Sequence, residues 1–182
     1  WWWWVGGGFV VALLGNFWAF ANPWDITYRW AENFYKRIKP GSRLGLRYNY
    51  PQSLGVWPAF VLFFLFAWFE ILSSNSSNPL TLAVVVVLYS IVTWIGMMIF
   101  GRHTWLRHGE AFSVVFGFFA RFAPTEVSVI NSDICSKCDT KCLIDDGRCI
   151  NCYQCYEESN RLGVEVNIRP FAIGLARPER VT

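Results

Sequence analysis

Charge is what this chain has least of. Only 16% of its 182 residues are charged, against 54% hydrophobic and 19% aromatic, whereas soluble domains average about a quarter charged. Intrinsic disorder is excluded, because disordered chains are rich in charge and poor in aromatics. The net charge is only +3. No basic stretch stands beside stacking aromatics, so nucleic acid is not an expected partner. Histidine is almost absent, with two residues, His103 and His108. Five apart, they do not share a helix face as i,i+4 metal ligands would. The sequence shows no Ser-His-Asp order, phosphate loop or zincin motif, and no catalytic residue can be named. No basic region precedes the first apolar run and no A-x-A-like site follows it, so no signal peptide is read.

The charge that is present is unevenly placed. Residues 1–123 carry nine basic side chains and four acidic ones, Asp25, Glu32, Glu70 and Glu110. Residues 124–182 carry seven basic and nine acidic in less than half the length. All six cysteines lie between Cys135 and Cys155. The composition therefore divides the chain into a membrane region over 1–123 and a cysteine-rich, water-facing excursion over 124–182. It opens on Trp1 without a Met, and is expected to be an internal fragment.

Three runs are apolar enough to cross a bilayer core, which takes about 20 residues as a helix. They are 1–21, 54–72 and 80–100. In the first, Gly8, Ala12, Gly15 and Ala19 fall on one helical face, where small residues let another helix approach closely. The alternative is that Gly6, Gly7 and Gly8 simply fray the helix start. The four leading tryptophans suit an interfacial aromatic belt. The second and third runs are joined by the uncharged SSNSSNP, too short for anything but an antiparallel hairpin.

Between the first two runs, Asn22-Pro23 predicts a helix start, with Asn22 as cap, Pro23 in the first position and Asp25 in the first turn. Over 23–39 the residues Trp24, Tyr28, Ala31, Phe34, Tyr35 and Ile38 form one stripe, and Asp25, Arg29, Glu32, Lys36 and Arg37 the other. That pattern fits a helix lying in the membrane interface. A second interfacial helix is expected over 104–123, either lying at the interface or making a fourth crossing. Within it, Arg107 and Glu110 read as a local ion pair at the surface, or with Ser113 as a polar path between helices. Glu70, within the second run, is an ionisable residue of the kind that is costly in a bilayer, though close enough to the polar turn to reach water.

Six basic residues lie in the loop 22–53 and none in 73–79. Basic loops stay inside, so 22–53 and everything after residue 100 are expected on the cytoplasmic side of a cell membrane, the cysteines included.

The cysteine run has the spacing C-x2-C-x3-C-x6-C-x2-C-x2-C, through Cys135, Cys138, Cys142, Cys149, Cys152 and Cys155. A C-x2-C turn brings two sulfurs to one metal, and two such turns make a four-cysteine zinc site. Cys135, Cys138, Cys149 and Cys152 supply that set, with Cys142 and Cys155 as lesser or alternative ligands. An iron–sulfur cluster is the alternative, since CINCYQC holds the C-x2-C-x2-C core of ferredoxins but lacks the following C-P. A binuclear zinc site sharing six thiolates, and three disulfides in an oxidising compartment, also stand. EVSVI (126–130) and GVEVNI (163–168) alternate apolar and polar residues, as half-buried strands do. Pairing between them would close the loop that carries the thiols.

The stretches NPWDITYRW, YPQSLGVWPAFVLFFLFAWFE and WLRHGEAFSVVFGFFARFAP, with IRPFAIGL (168–175), resemble a family of bacterial and archaeal polytopic membrane proteins labelled "fenitrothion hydrolase"-like. The resemblance covers roughly 1–124 and implies further spans. It carries over no catalytic residue, and the cysteine insert departs from it. The expected fold class is an α-helical integral membrane protein of about three transmembrane helices plus interfacial helices, with a small β-rich metal-knuckle excursion. Its partners would be the lipid bilayer and other transmembrane helices. Three functions follow: a transporter-like or scaffold protein with a zinc site, a membrane electron-transfer subunit with an iron–sulfur cluster, or a membrane-bound hydrolase.

Overall fold

The computed structural model describes residues 2–41, 44–46, 48–72, 78–130, 132–138, 148–159 and 163–176. The chain is mostly helical, with a small sheet and a cluster of cysteines. Packing divides it into two units, residues 22–114, and residues 1–21 together with 115–182. The composition break near residue 123 thus does not coincide with the packing break.

The first apolar run is not one helix over 1–21. It folds as α1 (Trp2–Leu14) and α2 (Trp18–Ala21). The break falls at Gly15, whose φ of +112° is open to glycine and strained for other residues. A Cβ there would also stand 2.5 Å from Thr125 Oγ1. That hydroxyl donates to the Leu14 carbonyl at 2.7 Å, satisfying one of the groups a helix end leaves open.

In the unit 22–114, α3 (Pro23–Ile38) begins as its sequence predicts. Asn22 Oδ1 accepts from the Trp24 and Asp25 N–H groups, and Pro23 follows it. Such a cap is worth about 1 kcal/mol. The expected separation of faces along α3 does not hold at Asp25. That carboxylate is 1% exposed and pairs with Arg29 at 3.3 Å and with Arg102 at 3.0 Å. Tyr28 is buried with Met97 and Trp105, while Phe34 and Ile38 stay exposed. The first half of α3 is therefore held by protein.

After a 3-10 turn (Gln52–Leu54) come α4 (Trp57–Leu72) and α5 (Pro79–Phe100). The serine-rich turn over 73–77 lies outside the described residues. Among the described residues, two helical stretches are long and apolar enough to cross a membrane, Gln52–Leu72 with 21 residues and Pro79–Phe100 with 22. The last-turn carbonyls of α5 are taken up by chain neighbours: Leu46 N–H donates to Met98 O and Tyr48 N–H to Ile99 O, both at 2.7 Å.

The region 104–123 does not form a single helix. Helix α6 (Arg102–His108) stops at Gly109, and α7 (Ala111–Phe119) restarts one residue later. The cause is at the junction. Cβ atoms on Gly96 and Gly109 would both overlap the Trp105 indole, so the ring is clamped between two glycines. Glu110 then caps α7, its carboxylate accepting from Phe112 N–H at 3.0 Å and Ser113 N–H at 2.7 Å. An acid at a helix start also offsets the macrodipole.

In the other unit, β1 (Thr125–Val129) is followed by α8 (Ser132–Ser136), β2 (Cys149–Ile150), α9 (Tyr153–Glu158) and β3 (Val164–Ile168). Among the described residues the sheet has the order β2-β1-β3, all antiparallel. The two strands visible in the sequence pair from Thr125↔Ile168 to Val129↔Val164. Of the expected small-residue face, Gly8 packs closely, since a Cβ there would stand 3.3 Å from the Phe119 ring, but Gly15 ends the helix and Ala19 falls on α2, so the four do not share one helical face.

Candidate metal centre

Five of the six cysteines fall on the described residues, and all five are buried free thiols: Cys135, Cys138, Cys149, Cys152 and Cys155. Cys142 lies outside the described residues, as do Asp139, Lys141, Asp145 and Asp146. Together with Val129 the five form a small core, with Ile134 and Val164 packed at its edge.

Each thiol is placed by a short local device. Helix α8 ends in a turn in which Lys137 N–H bonds Ile134 O and Cys138 N–H bonds Cys135 O. That turn does not bring Cys135 and Cys138 onto one ion: the Cys135 thiol faces Val129 O at 3.9 Å, and the Cys138 sulfur lies by Cys152. Cys149 is held by the sheet, paired across from Val129. Strand β2 was not legible in the sequence, having only two residues. After it the chain must turn sharply, and Asn151 takes a left-handed φ of 51°, a conformation Asn tolerates better than most. Its side chain accepts from Val127 N–H at 3.0 Å, and its own N–H donates to Val127 O at 2.8 Å. Asn151 thereby fixes the second C-x2-C turn to β1. Cys152 precedes α9, and Cys155 lies in its first turn.

Cys138 and Cys152 have sulfurs 3.7 Å apart, and Cys149 and Cys155 likewise 3.7 Å. A disulfide would require about 2.05 Å. Thiolates on one tetrahedral Zn²⁺, bound at about 2.3 Å, stand about 3.8 Å apart. The cysteines lie close enough together to hold a metal ion. Among the described residues they gather in two groups, Cys135 with Cys149 and Cys155, and Cys138 with Cys152 and Cys155, the sulfurs of each group lying within 4.8 Å of one another. The first cysteines of the two C-x2-C turns thus come together, and so do the second cysteines. Cys155, a lesser ligand by spacing alone, belongs to both groups. One polar side chain enters the cluster that the sequence did not single out: the Cys138 thiol lies 3.4 Å from Gln154 Oε1, and Gln154 is anchored to Glu158. Lys137 and Arg148 are exposed.

The other residues singled out in the sequence have structural surroundings. His108 stacks on Tyr50 with ring centres 5.1 Å apart, and its Nδ1 donates to Thr104 O at 3.0 Å. Burial pushes its pKa below the ordinary histidine value, opposed by the Thr104 bond and helped by Arg107. His103 Nε2 lies 2.9 Å from Arg102. Glu110 is fully buried rather than half of a surface ion pair. Besides capping α7, it accepts from the Tyr89 hydroxyl and, at 3.2 Å, from Asn22 Nδ2. Ser113 Oγ accepts from the same amide at 3.0 Å. Glu70 is half-buried near the end of α4.

No protein-family model, curated protein or solved structure matches the chain.

Proposed function

We propose that this chain belongs to a multi-pass integral membrane protein of transporter or scaffold type, whose cysteine-rich segment is a structural zinc site on the cytoplasmic side of the cell membrane. The observation that carries the reading is the gathering of five buried free thiols at sulfur separations suited to a tetrahedral ion. Buried thiols in a segment with little apolar side-chain volume of its own are what a metal would organise. A four-iron cluster seats each thiolate on a different iron and spreads them farther apart than one ion does; the 3.7 Å contacts favour zinc.

The membrane part rests on α4 and α5. Little of the apolar stretches Gln52–Leu72 and Pro79–Phe100 is buried by protein, 6% and 17%, whereas a core helix of a soluble protein would be covered. Phe60, Phe64, Trp68, Leu80, Val84 and Leu88 all face outward. The basic loop 22–53 supports the cytoplasmic placement.

Two measurements test the reading. Elemental analysis of anaerobically purified protein should find zinc and no visible chromophore. Iron with a broad visible band would instead favour the electron-transfer subunit. Neither metal, with thiols blocked to alkylation until reduced, would replace the site with disulfides. A Lys39→Cys probe, at an exposed position of the same loop, in a chain stripped of native cysteines should resist impermeant reagent added outside the cell. Labelling from outside would overturn the cytoplasmic placement.

A further inference from the structure

We infer that the cysteine cluster holds two metal ions, joined by Cys155 as a shared thiolate. This rests on the zinc reading above and goes beyond it in the number of ions and in the role of one residue. A single tetrahedral ion needs four sulfurs that are all mutual neighbours, at about 3.8 Å. Among the described residues the five thiols form no such set of four, even allowing 4.8 Å; they form two sets of three, so each of two ions would take three sulfurs and keep one position for a further donor. Cys135 and Cys149 lie in one set, Cys138 and Cys152 in the other, and Cys155 alone lies in both.

The fold explains the division. Cys135 is drawn toward β1, its thiol facing Val129 O at 3.9 Å, and Cys149 sits opposite Val129 on β2. Cys138 and Cys152 come after those residues in their turns, one step farther along both segments. Two C-x2-C turns running side by side therefore present two pairs of sulfurs. Cys155, one helical turn beyond Cys152, points back between the pairs.

Charge agrees with this count. All five thiols are buried, and uncompensated charge in such a place is costly. With all five thiols ionised, one divalent ion would leave three negative charges, whereas two would leave one. The ions suited to a site of thiolate sulfur without a preferred ligand-field geometry are Zn²⁺ and its larger analogue Cd²⁺.

The test uses the full chain, purified with its metal. Zinc should be present at two equivalents per chain. After exchange with ¹¹³Cd, nuclear magnetic resonance should show two signals coupled to each other through the shared sulfur. Two signals without coupling, or one equivalent of metal, would overturn the shared thiolate while leaving the zinc reading intact. No bound zinc would remove the reading itself. In Cys155→Ser the cadmium–cadmium coupling should vanish; coupling that persists would assign the bridge elsewhere. Should that variant fail to fold, the stoichiometry and coupling of the native chain still decide.

Discussion

Arg169 Nη1 donates to Glu126 Oε2 at 2.9 Å, with both side chains less than a tenth exposed. The same guanidinium donates to the carbonyls of Ala120, Arg121 and Ala123 at 3.0–3.2 Å. Those carbonyls follow α7, where a helix end leaves acceptors without partners. One side chain thus closes a helix and fastens it to β1. Gly174 leaves room for it, since a Cβ there would stand 2.7 Å from Arg169 Nη2. Arg169→Met should destabilise this unit by about 3–5 kcal/mol, because it strands a buried carboxylate. Adding Glu126→Leu should recover a good part of that. Detergent-solubilised protein, followed by thermal unfolding, provides the comparison; equal stability of single variant and parent would contradict it.

The buried carboxylate in the other unit makes a separate prediction. Glu110→Ala removes the α7 cap and leaves the Tyr89 hydroxyl and Asn22 amide short of an acceptor. A cap is worth about 1 kcal/mol, and each stranded buried polar group costs about 1–3 kcal/mol. A loss of roughly 3 kcal/mol is expected, with Tyr89→Phe milder at about 1 kcal/mol. A double-mutant cycle should show the two substitutions to be non-additive.

These two clusters show where the sequence was legible and where it was not. The Asn22-Pro23 start of α3 and the strands β1 and β3 could be read because cap chemistry and period-two alternation are local signals. The burial of Asp25 could not be read, since its partner Arg102 is 77 residues away. The break at Gly15 had a local signal in Gly15-Asn16 that the apolar run around it masked: Asn16 Oδ1 accepts from Ala19 N–H at 3.3 Å at the start of α2. The six thiols were obvious from spacing. Their division into two groups was not, because it depends on β2 docking on β1 and on the left-handed Asn151.

The glycines around Trp105 offer a steric test. Gly96→Ala places a methyl group inside the indole, and neither α5 nor α6 can yield without moving Tyr28 and Met97, which pack against it. Overpacking of this kind costs about 1–3 kcal/mol. The unfolding midpoint should fall for Gly96→Ala and return in part when Trp105 is also replaced by Leu. Insensitivity to Gly96→Ala would mean that the indole sits elsewhere.

His108 makes stability depend on pH. Its ordinary pKa is about 6.5, and burial lowers it in the folded chain. As pH falls, the unfolded chain therefore takes up this proton first. The contribution is complete above about pH 6.5 and is lost as pH falls through the depressed folded value. His108→Asn keeps a donor for the Thr104 carbonyl but cannot titrate. Its unfolding midpoint should vary less between pH 7 and 5 than that of the parent. Equal slopes would remove His108 as the cause.

Metal removal should be felt first in the sheet. Strand β2 has two residues and is held by two register pairs to β1, far less than an independent hairpin needs. With ions bound, Cys149 and Cys152 tie both ends of that segment to α8 through Cys135 and Cys138. Structural zinc contributes about 10 kcal/mol or more in comparable small sites, so stripping it should release β2 and α9 while β1 and β3 remain paired. Hydrogen exchange after chelation should accelerate at Ile150 and Asn151 well before Val127 and Val166. The five thiols should become open to alkylation together. Stepwise alkylation, with exchange at Asn151 unchanged, would mean that the thiol core holds itself together without metal.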